Sequence, residues 1–271
     1  MLILLPPSEG KTAPRSGAPL DLASLVLPTL AGERTTAMGI LAAVSSAPDA
    51  AEVLGVGETV RADIDANVVL MESPAAPAHQ VFTGVLYDAL DYASLPETAR
   101  RRAREKVLIF SGLFGVLSLG DHIPNHRLSV TSSLPGLGRM SSWWKPRLTP
   151  PLDAHAEHTG VIIDGRSGGY AAQWKAPAAI TVTVDVFQIR NGERKVVSHF
   201  AKHTRGLVAR ELLLAGPRVV KSPESAAEVI AAAGSAQGTH DWSVDLVPGT
   251  GPRPASLQIT LPDEHTTVGG S

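Results

Sequence analysis

Seven residues, Pro6-Pro-Ser-Glu-Gly-Lys-Thr12, end in the Gly-Lys-Thr of a phosphate-cradling loop and directly follow the apolar run Met1 to Leu5. Such a loop curls successive backbone NH groups around phosphates and needs a first glycine five positions before its second. The second glycine is Gly10, and Leu5 stands where its partner is required. Pro6 and Pro7 also lack the amide protons that would have to donate. A nucleoside-triphosphate loop is therefore excluded on geometry. What remains is a strand that delivers Ser8, Lys11 and Thr12 to the end of a buried element, with a solvated turn lysine as the plain alternative.

Four further stretches carry residue types capable of chemistry. Ser111-Gly-Leu-Phe-Gly115 follows an apolar run, and a GxxG turn there would expose amides suited to an anion, especially a phosphate. Leu134-Pro-Gly-Leu-Gly-Arg-Met140 has the two glycines of a helix-hairpin-helix DNA-binding turn, but the expected strand before it favours a plain turn. Arg127, Arg139, Lys145 and Arg147 surround that turn, and Trp143-Trp144 could stack unpaired bases or pack in the core. His155 and His158, with Glu157 between them, have a metal-ligand spacing but no third ligand at a diagnostic distance, so no metal site is assigned; Asp121, His122 and His126 are treated alike. Gly165-Arg-Ser-Gly-Gly169 matches the string of a hydrolase nucleophile elbow around Ser167. Paired glycines open a helix badly, so a plain turn is the preferred reading.

The totals restrict the possibilities. The 271 residues contain no cysteine, which excludes thiolate catalysis, disulfides and sulfur-ligated zinc. The opening residues lack a basic leader and no apolar run reaches membrane-spanning length, so a soluble, cytoplasmic protein without a membrane partner is expected. Net charge is −2, yet it is segregated: −8 over residues 1–99, +10 over 100–210 and −4 over 211–271. A basic middle could form one positive patch if the fold gathers it, or scatter over the surface.

The elements that must position these groups follow from pattern. Met1–Leu5 and Val107–Phe110 read as buried strands, and residues 128–130, 161–163, 179–187 and 196–197 as further strands. Residues 30–70 read as helix broken at Pro48 and Gly55-Val-Gly57, with Asp49 as a cap. His79–Gly84 reads as a short strand entering a helix, and Ser94-Leu-Pro-Glu97 as a capped helix start. Pro151–Thr159 and Ser222–Ala233 read as helices, and residues 244–246 with 257–261 as a closing hairpin. Ser198–Leu214 is the strongest helix; Ser198, Lys202, Arg205 and Ala209 share an arc of about 60° holding two cations and no carboxylate. Thr266–Ser271 reads as a frayed tail. One α+β domain over residues 1–271, a mixed α/β fold with a central sheet and a basic cleft, is the expectation.

In order along the chain, residues 1–12, Phe82-Thr-Gly84, Ser111–Leu117, His126-Arg-Leu128 and Phe200-Ala-Lys-His-Thr-Arg-Gly206 resemble the motifs of the YaaA peroxide stress proteins. The resemblance implies a cytoplasmic protein that protects against hydrogen peroxide, keeps unincorporated iron low, and binds DNA through a positively charged cleft with a helix-hairpin-helix-like element. No cofactor is expected. The polar motif positions carried over are Lys11, Thr12, Ser111, Gly112, Arg127, Lys202 and Arg205. Phe82 and Phe200 stand where tyrosines are usual, so no phenol is essential there. Two readings remain open. In one, Ser8, Lys11, Thr12, Ser111, Gly112, Gly115, Arg127, Lys202 and Arg205 hold DNA phosphates, joined by the Arg100–Arg104 cluster. In the other, Lys11, Ser111, Arg127, Lys202 and Arg205 line the pocket of an enzyme for an anionic or nucleotide-like small molecule.

Overall fold

The computed structural model describes residues 1–57, 60–197, 199–234 and 238–263, so the expected frayed tail and Ser198 lie outside the described residues. The chain begins with β1 (Leu2–Leu5), then α1 (Ala31–Ser45), α2 (Ala50–Leu54) and α3 (Arg61–Val68). Next come β2 (Ala76–Pro77), α4 (Ala78–Val81), α5 (Val85–Leu90) and α6 (Glu97–Lys106). The central stretch contains β3 (Val107–Ser111), β4 (Gly115–Ser118), β5 (His122–Ile123), β6 (Ser133–Leu134), β7 (Gly138–Arg139) and α7 (Met140–Ala156). It is followed by β8 (Ile162–Asp164), α8 (Gly168–Ala171), β9 (Thr181–Arg190), β10 (Glu193–Val196) and α9 (His199–Ala215). The last elements are α10 (Pro223–Ala233), β11 (Ser243–Val247) and β12 (Ala255–Leu261).

Eight of these strands form one mixed sheet in the order β11-β12-β9-β8-β1-β3-β4, with β10 paired to β9. The five strands from β12 to β3 run parallel, while β4, β10 and β11 join antiparallel at the margins. All four residues of β1 and all five of β3 are buried, which explains why both read as unbroken apolar runs: a strand covered on two faces has no solvated side to alternate with. β9 alternates instead. The mixed α/β fold with a central sheet is therefore as expected.

Several local expectations need correction. Residues 79–81 are helical rather than extended: α4 starts behind Pro77, and its leading amides donate to Asp121 and Leu119 carbonyls. Only Phe82 makes a bridge, to Lys11. Residues 128–130 form no strand, because irregular partners take their backbone groups, as in the Ser141 NH donation to the Val130 carbonyl. α7 starts at Met140, not at Pro151, and contains Pro146, Pro150 and Pro151. Three missing or clashing backbone positions argue against a helix; burial of Trp143, Trp144, Leu148 and Leu152 outweighs them. Asp49 occupies the position before α2 without a capping bond, and Pro96, not Ser94, precedes α6. The Ser94 hydroxyl donates to the Asp91 carbonyl instead. Among the described residues, no helix is long and apolar enough to cross a membrane.

Candidate functional site at the strand switch point

From β1 the chain proceeds to β3 on one side, whereas β8, the neighbour on the other side, leads on to β9 in the opposite direction. At such a switch point the loops leaving adjacent parallel strands diverge and open a crevice beyond their carboxyl ends, the usual ligand site of open α/β sheets. The Gly165 NH donates to the Leu4 carbonyl at 2.9 Å before the β8 loop turns away. Between the two loops lies a cavity of ≈ 330 Å³, walled by residues 6–10, the start of α5 at 84–87, Ser167, Tyr170, Lys202 and Arg205. That volume lies near the lower end for small-molecule sites, about 300–1,000 Å³.

The walls are fixed from behind. The Tyr87 hydroxyl donates to the Pro6 carbonyl at 2.8 Å. Lys11 Nζ donates to the Ser8 carbonyl at 3.1 Å and reaches the Glu9 carbonyl at 3.5 Å. Thr12 NH donates to Val81, and Thr83 NH to Gly10, tying this loop to the α4–α5 segment. Gly84 has φ 101°, and a side chain there would press on the Ser8 hydroxyl. Gly206 allows α9 to lie directly on α5: a Cβ at this position would come within 2.1 Å of the Leu86 carbonyl oxygen.

Charge within the site is unevenly engaged. Arg205 Nε and Nη2 both donate to the Val184 carbonyl, at 3.1 and 3.0 Å. Burial lowers its pKa, opposed by Asp185 and Asp164. Lys202, one turn earlier on α9, is exposed and has no hydrogen bond or ion pair with any described residue. Burial pulls the Lys11 ammonium down to about 8, against the pull of Glu9 and with help from Arg127. His126 is buried beside it and falls to about 3, through burial first and the Lys11 charge second. Its Nδ1 lies 3.0 Å from the Pro124 carbonyl, which assigns the proton to Nδ1 in the neutral ring. Burial raises the Tyr87 and Tyr170 phenols, with Glu9 adding to the rise at Tyr170, so both remain hydroxyl donors.

The expected site residues divide into three groups. Ser8, Lys202 and Arg205 meet in the cavity. Lys11, Thr12 and Arg127 lie one layer behind: Lys11 ties the loop, Thr12 contributes its backbone NH, and Arg127 faces a neighbouring hollow. Ser111, Gly112 and Gly115 lie in a buried turn away from the cavity. There the Ser111 hydroxyl accepts from the Leu113 and Phe114 amides, and Trp144 Nε1 donates to the Gly112 carbonyl. Those amides are therefore not presented to an anion. The arginines of α6 also face elsewhere: Glu97 pairs with Arg100 and Arg104, and Arg102 donates to the Leu213 carbonyl.

Residues 134–140 form the β6–β7 hairpin leading into α7, and residues 124–132 before it are not helical, so no helix-hairpin-helix is built here. Both tryptophans are buried; Trp143 carries the Arg147 guanidinium 4.2 Å from its ring. Among the described residues, no group of three or more His, Asp or Glu side chains is placed to hold a metal ion. Ser167, read from sequence as a plain turn, lines the cavity and precedes α8 with φ −79°, without the strained backbone of a nucleophile elbow. Tyr87, Tyr170, Glu9 and Gly84 join the cavity wall without being among the site residues expected from sequence. Glu9 and Tyr170 follow the two paired parallel strands β1 and β8, whose loops form the site, whereas Gly84 and Tyr87 reach it from the start of α5 through a long-range contact that no local pattern signals.

Comparison with known proteins supplies the relatives. Residues 1–227 match the family described as "Peroxide stress protein YaaA". A UPF0246 protein of Streptomyces coelicolor is 41% identical over 273 residues, covering 98% of this chain and 100% of its own. One from Corynebacterium efficiens is 44% identical over 235 residues, 86% of this chain and 93% of its own. Another, from Cereibacter sphaeroides, is 37% identical over 142 residues, half of this chain. With both its motifs and nearly its full length matched, this chain belongs to the YaaA peroxide stress protein family.

Proposed function

We propose that the protein serves peroxide stress protection by binding DNA with little sequence preference, taking one unpaired nucleotide at a time into the switch-point cavity. The observation that carries this reading is Lys202: an exposed ammonium on the rim of a nucleotide-sized cavity, one turn from Arg205, with aromatic and proline walls behind it. A phosphate at the rim would meet Lys202 and the Ser8 and Ser167 hydroxyls, while a base would lie against Tyr87 and Tyr170. The basic middle of the sequence agrees with an anionic partner. The lower level of unincorporated iron implied by the resemblance would then be a downstream consequence of binding, in the cytoplasm.

Two described cations, Lys202 and Arg205, line the cavity, so the affinity for single strands should fall with log salt at a slope of about −1.4. Fluorescence anisotropy with labelled single-stranded and duplex oligonucleotides between low and high salt measures this. A slope several times steeper would indicate an extended basic groove instead, and absence of salt-dependent binding to either form would remove the reading. The convergence of four separate segments on one concave cavity favours a second reading, an enzyme acting on a free nucleotide-like anion. Competition distinguishes them: in that case a mononucleotide binds as tightly as an oligonucleotide.

A further inference from the structure

A second hollow, of ≈ 500 Å³, adjoins the cavity and shares Glu9 with it. Its walls are the end of α2 through Val56, together with Arg127, Ser129, Thr131, Ser132 and Ser133. Arg127 is held firmly there: its backbone NH donates to Asn67 Oδ1 at 2.8 Å, and its carbonyl accepts from Asn67 Nδ2 at 2.9 Å. Among the described residues, the Arg127 guanidinium is occupied by one acidic residue alone. Nη2 lies 3.1 Å from Glu9 Oε2, and Nη1 donates to the Glu9 carbonyl at 3.2 Å. The Glu9 side chain is 54% exposed, whereas that of Arg127 is 20% exposed on a backbone held by Asn67.

Resting on the binding reading above, we infer that the second hollow is a subsite for a second anionic group of the same ligand, and that the Glu9 carboxylate occupies it in the empty protein. The ligand class is therefore a bis-anion with its charges on either side of one nucleoside, such as two successive phosphates of a strand. Its first charge sits at Lys202 and its second displaces Glu9 from Arg127. A guanidinium and a carboxylate form a charge-assisted pair that a phosphate oxygen reproduces. Of the four neighbouring hydroxyl-bearing residues, Ser132 donates to the Leu54 carbonyl and Ser129 and Thr131 bond each other at 2.9 Å, which leaves Ser133 and one hydroxyl of that pair as further donors.

The test compares thymidine 5′-monophosphate with thymidine 3′,5′-bisphosphate by isothermal titration against wild type, Glu9→Gln, Arg127→Gln and the double variant. Loss of the Glu9 charge strengthens both ligands, so the decisive quantity is the ratio of their affinities. Glu9→Gln is expected to raise the preference for the bisphosphate about tenfold, and Arg127→Gln to abolish it. In the Arg127→Gln background, Glu9→Gln should no longer change the ratio. A ratio indifferent to Arg127, or a Glu9→Gln effect that persists without Arg127, overturns the subsite while leaving the cavity intact. Failure of wild type to bind either nucleotide removes both the cavity reading and this one.

Discussion

His126 is enclosed by Phe82, Phe114 and the Lys11 ammonium, and its imidazole is held neutral down to about pH 3. The unfolded chain takes up that proton near 6.5, so between about pH 6.5 and 3 the unfolded state binds one proton more than the folded state. Stability from this residue is thus fully present above pH 6.5 and is lost as pH falls, by at most about 4–5 kcal/mol. Below pH 3 both states are protonated and the loss stops. Urea unfolding at pH 7 and pH 4.5 checks this: the wild-type midpoint drops, and in His126→Phe the drop is smaller. An equal drop in the variant would assign acid sensitivity to other groups. Lys202 behaves oppositely, being exposed and without a described partner, so its removal should leave stability unchanged. Arg205 differs again, because losing its guanidinium leaves the Val184 carbonyl without either of its two arginine donors.

Packing of α9 on α5 depends on Gly206 having no side chain. Alanine would add about 1 kcal/mol of helix propensity. Against this, its Cβ would overlap the Leu86 carbonyl and sit 2.8 Å from the Ala89 methyl, a backbone clash that no rotamer relieves. The clash should win: Gly206→Ala is expected to cost about 3 kcal/mol net, read by thermal unfolding. Since Leu86 also walls the cavity, ligand affinity should fall with it. Elements whose apolar pattern and punctuation agree, such as β1, β3, β9 and α9, were legible in the sequence because local preference and burial point the same way. Those that were missed involve a conflict. α7 carries three prolines within a buried, tryptophan-rich helix, so a local rule yields to tertiary burial there. Residues 128–130 look β-prone, yet they are held by side chains and backbone from distant segments that no local window contains.

Across the molecule, strands β1 and β8 and helices α5 and α9 converge at the switch point, and sequence could name the cations but not how each is engaged. Helical periodicity alone places Lys202 and Arg205 on one face of α9. Lys11 and Arg127 carry the same charge, but the fold uses one to tie a loop and pairs the other with Glu9. Ser111 opens a glycine turn whose amides fold back on its own hydroxyl. The central claim, that phosphate is captured at this cavity rather than by a general basic surface, is tested most directly by comparing two lysines. Lys202 lies on the cavity and Lys145, also exposed, lies on α7 outside it. With a 5′-phosphorylated single-stranded oligonucleotide, Lys202→Ala should weaken binding about tenfold at unchanged Tm, while Lys145→Ala leaves it as in wild type. Equal losses in the two variants, or no loss in Lys202→Ala, would contradict it.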